Sequence, residues 1–177
     1  MTKKYVGFHF SNLAGTLANG DGRKIVLGET LSVEGSPELC SFGLHWSEQV
    51  RQALKYGNAR LWLVEGWGDV QRGDDKYCGT HRKAIKDYGN ILPLIVEYAF
   101  WCSERAAEYA AKYAAEYAAE SAAKSAEYAE YAKYAAKSAA KYAEYAAKYA
   151  EYAAAERKAQ EQWWHDRLSQ LTGHGND

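Results

Sequence analysis

His9, His45, Trp46, Ser47, Tyr56 and Arg82 carry the side chains best suited to hold a polar ligand. Trp46 or Tyr56 could stack on a base, and Arg82 could make charge-assisted bonds to a phosphate. A helix starting at Ser47 would offer free N–H groups and a partial positive charge to an anion. His, Arg and aromatic side chains converging at strand ends therefore suit a nucleotide. Nucleophilic chemistry has less support. No Ser or Cys stands in a Gly-rich elbow, and no phosphate-binding loop is visible. Asp74 and Asp75 are adjacent carboxylates in a polar loop, which solvation explains. Cys40 with His45 (C-x4-H) and Cys78 with His81 (C-x2-H) are ligand types that zinc accepts. A helix and a strand separate the two pairs, so reduced thiols and a surface His are the plainer reading. No catalytic residue, metal or cofactor is assigned.

The elements that must position these residues lie in residues 1–90. Tyr5-Val6-Gly7-Phe8-His9-Phe10 alternates as a first strand. Asn19-Gly20-Asp21-Gly22 marks a turn. Residues 24–27 and 29–33 read as short strands around Gly28. Gly43-Leu44-His45-Trp46 reads as another, stopped by Ser47, which caps a helix running to Tyr56-Gly57. Arg60-Leu61-Trp62-Leu63-Val64-Glu65 is apolar on both faces, the mark of a central strand. Residues 76–81 and 82–85 form the last one.

Asn90 caps a further helix, and Pro93 is tolerated in its first turn. Residues 91–103 are apolar nearly all round, which predicts docking on the domain. An Ala-rich repeat then occupies 104–160, with Glu and Lys on almost every turn. Ala, Glu and Lys favour helix, and Glu108–Lys112, Glu120–Lys124 and Glu144–Lys148 are supporting i,i+4 pairs. Tyr and Ser recur on average about every 3.6 residues, so their side chains hold to one sector of a helix. The aromatic members are Tyr109, Tyr113, Tyr117, Tyr128, Tyr131, Tyr134, Tyr142, Tyr145, Tyr149 and Tyr152. Beside small Ala, they form a packing surface for self-association or for docking onto another helix. No Gly or Pro occurs between Pro93 and Gly173, which predicts one unbroken helix, a rod of roughly 120 Å. Its end, 161–171, carries Trp163, Trp164 and Leu168, a second apolar cluster, and 172–177 is a tail.

The net charge of −1 gives no global attraction to nucleic acid or anionic lipid. The repeat is too charged to span a membrane. The basic start lacks the apolar run of a leader, and three cysteines without a leader fit a reducing compartment. The expectation is the cytoplasm of a bacterial host.

Two resemblances extend this reading. Leu39 to Ser47, Ala53 to Tyr56, Val64-Glu65-Gly66-Trp67-Gly68 and Asp75-Lys76 resemble a small uncharacterised domain family of phages and prophages, in which low-complexity repeats often follow the domain. That family implies no activity. More distantly, Gly7 to Ser11, Gly43 to Ser47, Ala53 to Tyr56 and Val64 to Gly68 resemble the ADP-ribosyltransferase fold. His45 stands where that family has Tyr, and no later strand carries its catalytic Glu. The resemblance implies a pocket for an NAD- or ADP-ribose-like nucleotide, without turnover.

The expected fold is α+β: a small α/β domain with a short mixed sheet, 1–90, followed by one very long Ala/Tyr-rich helix, 91–171, acting as a coiled-coil-like oligomerisation rod. The expected function is non-enzymatic. Copies assemble through the helix, and the domain binds a small ligand such as an ADP-ribose-like or cyclic defence nucleotide. A transferase acting on NAD and a purely structural rod or filament are the alternatives.

Overall fold

The computed structural model describes residues 2–17, 21–56, 59–125 and 131–172; the side chains of 103, 118, 120–147 and 172 lie outside the description. The strands are β1 (Tyr5–Ser11), β2 (Thr30–Ser32), β3 (Leu44–Trp46), β4 (Arg60–Arg72) and β5 (Tyr77–Asn90). A short helix α1 (Val50–Ala53) runs into a single 3-10 turn, Leu54–Tyr56. The long helices are α2 (Leu92–Ser125) and α3 (Tyr131–Thr172). The chain divides into two compact units, one comprising Met1–Ile95 with Gln160–Asp177, the other Val96–Ala159.

The sheet of the first unit has five strands in the order β1-β4-β5-β2, with β3 also paired to β5. Every strand pairing is antiparallel, so the expected mixed sheet is corrected. The reason lies in β4 and β5. They are 13 and 14 residues long and form one hairpin across the Gly73-Asp74-Asp75 turn, where the Gly73 N–H reaches the Lys76 carbonyl at 2.8 Å. Gly and Asp supply such turns, and a tight turn joins antiparallel strands. The strand expected over Arg60–Glu65 is longer than its apolar run. The strand continues through an irregularity between Trp67 and Val70, where Gly68 adopts φ +91°. That left-handed conformation is open to Gly at little cost, and the local register shift is a β-bulge.

Two layers of side chains follow from the alternation of β1. His9 and Ser11 share a face with Trp62 and Val64, their neighbours in β4; the Trp62 indole N–H donates to Ser11 Oγ at 2.9 Å. This face is covered by the segment between β1 and α1, which contributes Leu17, Ile25, Leu44 and Trp46 to the core. Phe8 and Phe10 take the opposite face, beside Leu61 and Leu63 in register. The sequence reading gave the helical cover of the domain to residues 91–103. Only the start of that stretch fits, because Ile91 is buried while Val96 and Phe100 are exposed. Trp164 and Leu168, far along α3, are buried instead. They are four residues apart and so lie on one side of the helix.

Trp46 explains several glycines. A Cβ on Gly66 would collide with its six-membered ring, and one on Gly7 would meet the Ser47 carbonyl and Trp46 Cδ1. Gly79 leaves it room on the third strand, with Trp46 Cη2 at 2.9 Å from where a Cβ would sit. Gly66→Ala is therefore expected to cost ~1–3 kcal/mol, as overpacked cores do. Equilibrium denaturation measures this, and an unchanged midpoint would mean that the indole does not lie on Gly66.

The second unit corrects the rod. Arg105 Nε donates to Glu156 at 2.8 Å, and the Tyr109 ring stacks on Tyr152 with centroids 3.6 Å apart. As the number rises along α2 it falls along α3, so the two segments run antiparallel. One continuous coiled-coil-like helix over 91–171 is thereby excluded, although no Gly or Pro interrupts it. Helix propensity sets where a chain is helical and does not forbid a reversal when two helices can bury a shared face. Residues 126–130 lie outside the described residues. Among the residues assigned to assembly, Tyr109 and Tyr152 find their partner within the chain, and Tyr113 tilts against Tyr109 at 5.5 Å. Tyr117 and Tyr149 are exposed. Tyr128 and the side chains of Tyr131, Tyr134, Tyr142 and Tyr145 lie outside the described residues.

Candidate functional site

The structure brings together three of the residues singled out for ligand binding, but in the interior. Arg82, midway along β5, is 2% exposed. Its Nη1 donates to His9 Nδ1 on β1 at 3.0 Å and to the His45 carbonyl on β3. A guanidinium only donates, so His9 Nδ1 must be bare and the neutral ring carries its proton on Nε2. Burial, and then the Arg82 charge, hold the His9 pKa well below its ordinary value. Burial also pushes Arg82 down to about 9, with the Arg23 charge adding to the effect. Arg82 is thus still a cation at neutral pH. His45 is likewise lowered, by burial first and then by Lys76 and Arg82.

The other three do not join them in a cleft. Trp46 is a core residue, stacked on Tyr77 at 5.5 Å, and cannot receive a base. Ser47 is buried; its N–H donates to the Phe8 carbonyl at 2.9 Å and its carbonyl accepts the Phe8 N–H at 2.7 Å. The N-cap of α1 is Gln49, not Ser47. The helix is four residues long, too short for the anion seat expected there. Tyr56 is 53% exposed, donates to Asp75 at 2.9 Å and lies under the Lys76 ammonium at 4.2 Å. It belongs to the β4–β5 turn surface.

The cysteines and histidines do not converge as metal ligands, although His45 and Cys78 are partners in the β3–β5 register. The Cys40 N–H donates to His45 Nε2 at 3.3 Å, while Cys78 is buried with its thiol on the Phe42 carbonyl at 3.0 Å. Burial pushes the Cys78 thiol up to about 11, the wrong direction for a ligating thiolate. His81 stacks on Trp67 with centroids 5.7 Å apart. Among the described residues no group of three His, Cys, Asp or Glu could hold a metal ion, and no helix is long and apolar enough to cross a membrane.

A groove of about 360 Å³ opens on the other face of the sheet. Phe8, next to His9 but pointing the other way, lines it with Val50, Trp164 and Leu168. Arg51, Lys86 and Tyr88 bring polar groups to its wall, as do Glu48 and Glu161. Arg51 Nη2 reaches Glu161 at only 3.4 Å, and Arg51 Nε is sealed from solvent without a partner among the described residues. The arrangement offers an apolar floor beside an incompletely paired guanidinium. In the sequence, Trp164 and Leu168 stand out only as a cluster at a helix end. No local pattern places them beside Phe8, because the pairing spans most of the chain. No protein-family model, no curated protein and no solved structure matches this chain.

Proposed function

We propose that this protein is a non-enzymatic binding module, whose groove takes a small ligand with a flat apolar body and an anionic group. The observation that carries this reading is the Arg51 guanidinium at the edge of an apolar floor, with Nε unpartnered and Glu161 held at the long distance of 3.4 Å. A carboxylate or phosphate would pair with the accessible part of that guanidinium, whose side chain stays 25% exposed, and Phe8, Val50 and Trp164 would pack on the apolar body. A charged group beside an apolar concavity is a recurrent mark of ligand sites. Size narrows the class. About 360 Å³ lies near the low end of the ~300–1,000 Å³ of small-molecule pockets. A mononucleotide, cyclic or linear, or an aromatic carboxylate matches that volume better than a dinucleotide such as NAD.

Calorimetric titration with AMP, cyclic mononucleotides, ADP-ribose and aromatic carboxylates tests the reading. At least one mononucleotide or carboxylate should give saturable heat. Arg51→Ala should then weaken it by about tenfold to a hundredfold, the worth of one charge-assisted bond of ~1.5–3 kcal/mol. Lys86→Ala should weaken it less, since Lys86 also lies 5.0 Å from the Tyr88 ring centroid and is not aimed by a buried partner. No heat with any compound would leave a structural role ahead. Release of nicotinamide from NAD would replace the binding module by an enzyme.

A further inference from the structure

The wall of the groove carries charges of both signs. Arg51 and Lys86 line it as cations, Glu48 and Glu161 as anions. Glu48 accepts from Arg72 Nη2 at 3.3 Å, and both of those side chains are more than half exposed, so this pair belongs to the rim. Lys86 lies against the Tyr88 ring. Arg51 and Glu161 form the central pair. Glu161 Oε1 accepts from Arg51 Nη2 at 3.4 Å, beyond the ~2.7–2.9 Å of a close charge-assisted bond. Their side chains stay 25% and 40% exposed, so both are open to a ligand in the groove. Trp164 and Leu168 follow Glu161 by three and seven residues on α3, which puts the carboxylate on the same side of the helix as the apolar floor.

That placement constrains the ligand. An anion that pairs with Arg51 becomes the neighbour of Glu161. Two carboxylates then share one guanidinium, and like charges at such spacing oppose each other. A phosphate dianion fares worse than a carboxylate. A ligand that carries a cation beside its anion removes the conflict. We propose, on the reading of the groove as the ligand site, that it takes a free aromatic α-amino acid as its zwitterion. The carboxylate pairs with Arg51, the ammonium with Glu161, and the ring packs on Phe8, Val50 and Trp164. In an α-amino acid a single carbon bears both charged groups, so they can meet two side chains that already stand 3.4 Å apart. Its entry replaces one long ion pair by two. A peptide end brings only one of the two charges, and a nucleotide or a des-amino acid lacks the cation.

Calorimetric titration of the full chain separates the two charges. The compounds are L-phenylalanine and L-tryptophan, each with its des-amino acid (3-phenylpropionate, indole-3-propionate) and its amine (phenethylamine, tryptamine). At least one amino acid should bind about tenfold more tightly than both of its analogues, the worth of one further charge-assisted contact at a partly exposed site. Glu161→Gln should then reverse the order of amino acid and des-amino acid. The first loses its ammonium partner, while the second is freed of a repelling carboxylate. A merely structural Glu161 would move both affinities in the same direction, which overturns the assignment. If the variant does not fold, the comparison on the unaltered protein still decides. A des-amino acid or AMP binding as tightly as the amino acids would overturn the zwitterion and leave the groove an anion site. An amine binding as tightly would overturn it in favour of a cation site. No heat with any of the compounds would overturn both the zwitterion and the groove reading.

Discussion

Replacing Trp164 by alanine is expected to lower the unfolding free energy by about 3–5 kcal/mol. The indole is 2% exposed and lines the groove with Phe8 and Val50. Removing a ring of that size forfeits its transfer energy and leaves a cavity that a sheet face cannot readily collapse into. The loss would be a large share of the ~5–15 kcal/mol that holds a typical domain together. Trp163 is the control. It is only half-buried, meets Trp164 edge to face at 5.0 Å and lies under the Arg167 guanidinium at 5.7 Å. Trp163→Ala should therefore cost clearly less. A rod whose far end is free of the sheet would treat the two residues alike. Urea denaturation at equilibrium compares them, and equal midpoints for the two variants would contradict the burial of Trp164.

Acid should destabilise the protein well above the range in which carboxylates titrate. His9 keeps a pKa below its ordinary value of ~6.5 while folded, mainly through burial and then through Arg82. Its full contribution is present above that pH. As the pH falls through it, the unfolded chain takes up a proton that the native state refuses. Stability then drops by up to ~1.4 kcal/mol per pH unit, until the folded value is reached. His45 acts in the same direction, less strongly because it is partly open to solvent. Asp21, Asp75 and Asp87 are held below the usual carboxylate value by Arg23, Lys55 and Arg60. Their contribution is present above about pH 4 and is lost below it. The window between roughly pH 4.5 and 6.5 thus isolates the histidines. His9→Asn, whose amide oxygen can accept from Arg82, should remove about one proton's worth of slope there. Urea midpoints at a series of pH values measure it; an unchanged slope would show that His9 is not the buried neutral ring.

Much of the sheet was legible in the sequence. β1 alternates well enough to read as a strand, and β4 reads as central because both its faces are apolar; the strand order places it between β1 and β5. Asn90 was read as a helix cap, and its Oδ1 accepts the Leu92 N–H at 3.0 Å. What escaped depends on distant partners. The length of β4 hid behind the bulge at Gly68, where local alternation fails although the ladder resumes at Val70. His9 and Arg82 were named as polar groups of one site and do meet, yet nothing local announced that Trp46 and Leu44 would seal them in. Trp46 was read as a stacking platform because an aromatic after His looks like one. Its burial follows from Gly7, Gly66 and Gly79, which three different strands supply to make room for it. The Ala/Tyr repeat misled for a related reason. Uniform helix propensity reports no reversal, and the Tyr sector looks the same whether its partner is another copy or the returning half of the same chain.

The most direct test of this account is a nuclear Overhauser measurement on the Trp164 indole in the full-length protein, labelled at Trp and methyl groups. The structure predicts cross-peaks from the Trp164 ring to the Val50 methyls or the Phe8 ring, with the indole N–H slow to exchange. It also predicts that those resonances shift when an anionic ligand fills the groove. Trp164 signals at random-coil positions, with fast exchange and no contact to β1 or α1, would contradict both the fold of the first unit and the site built on it.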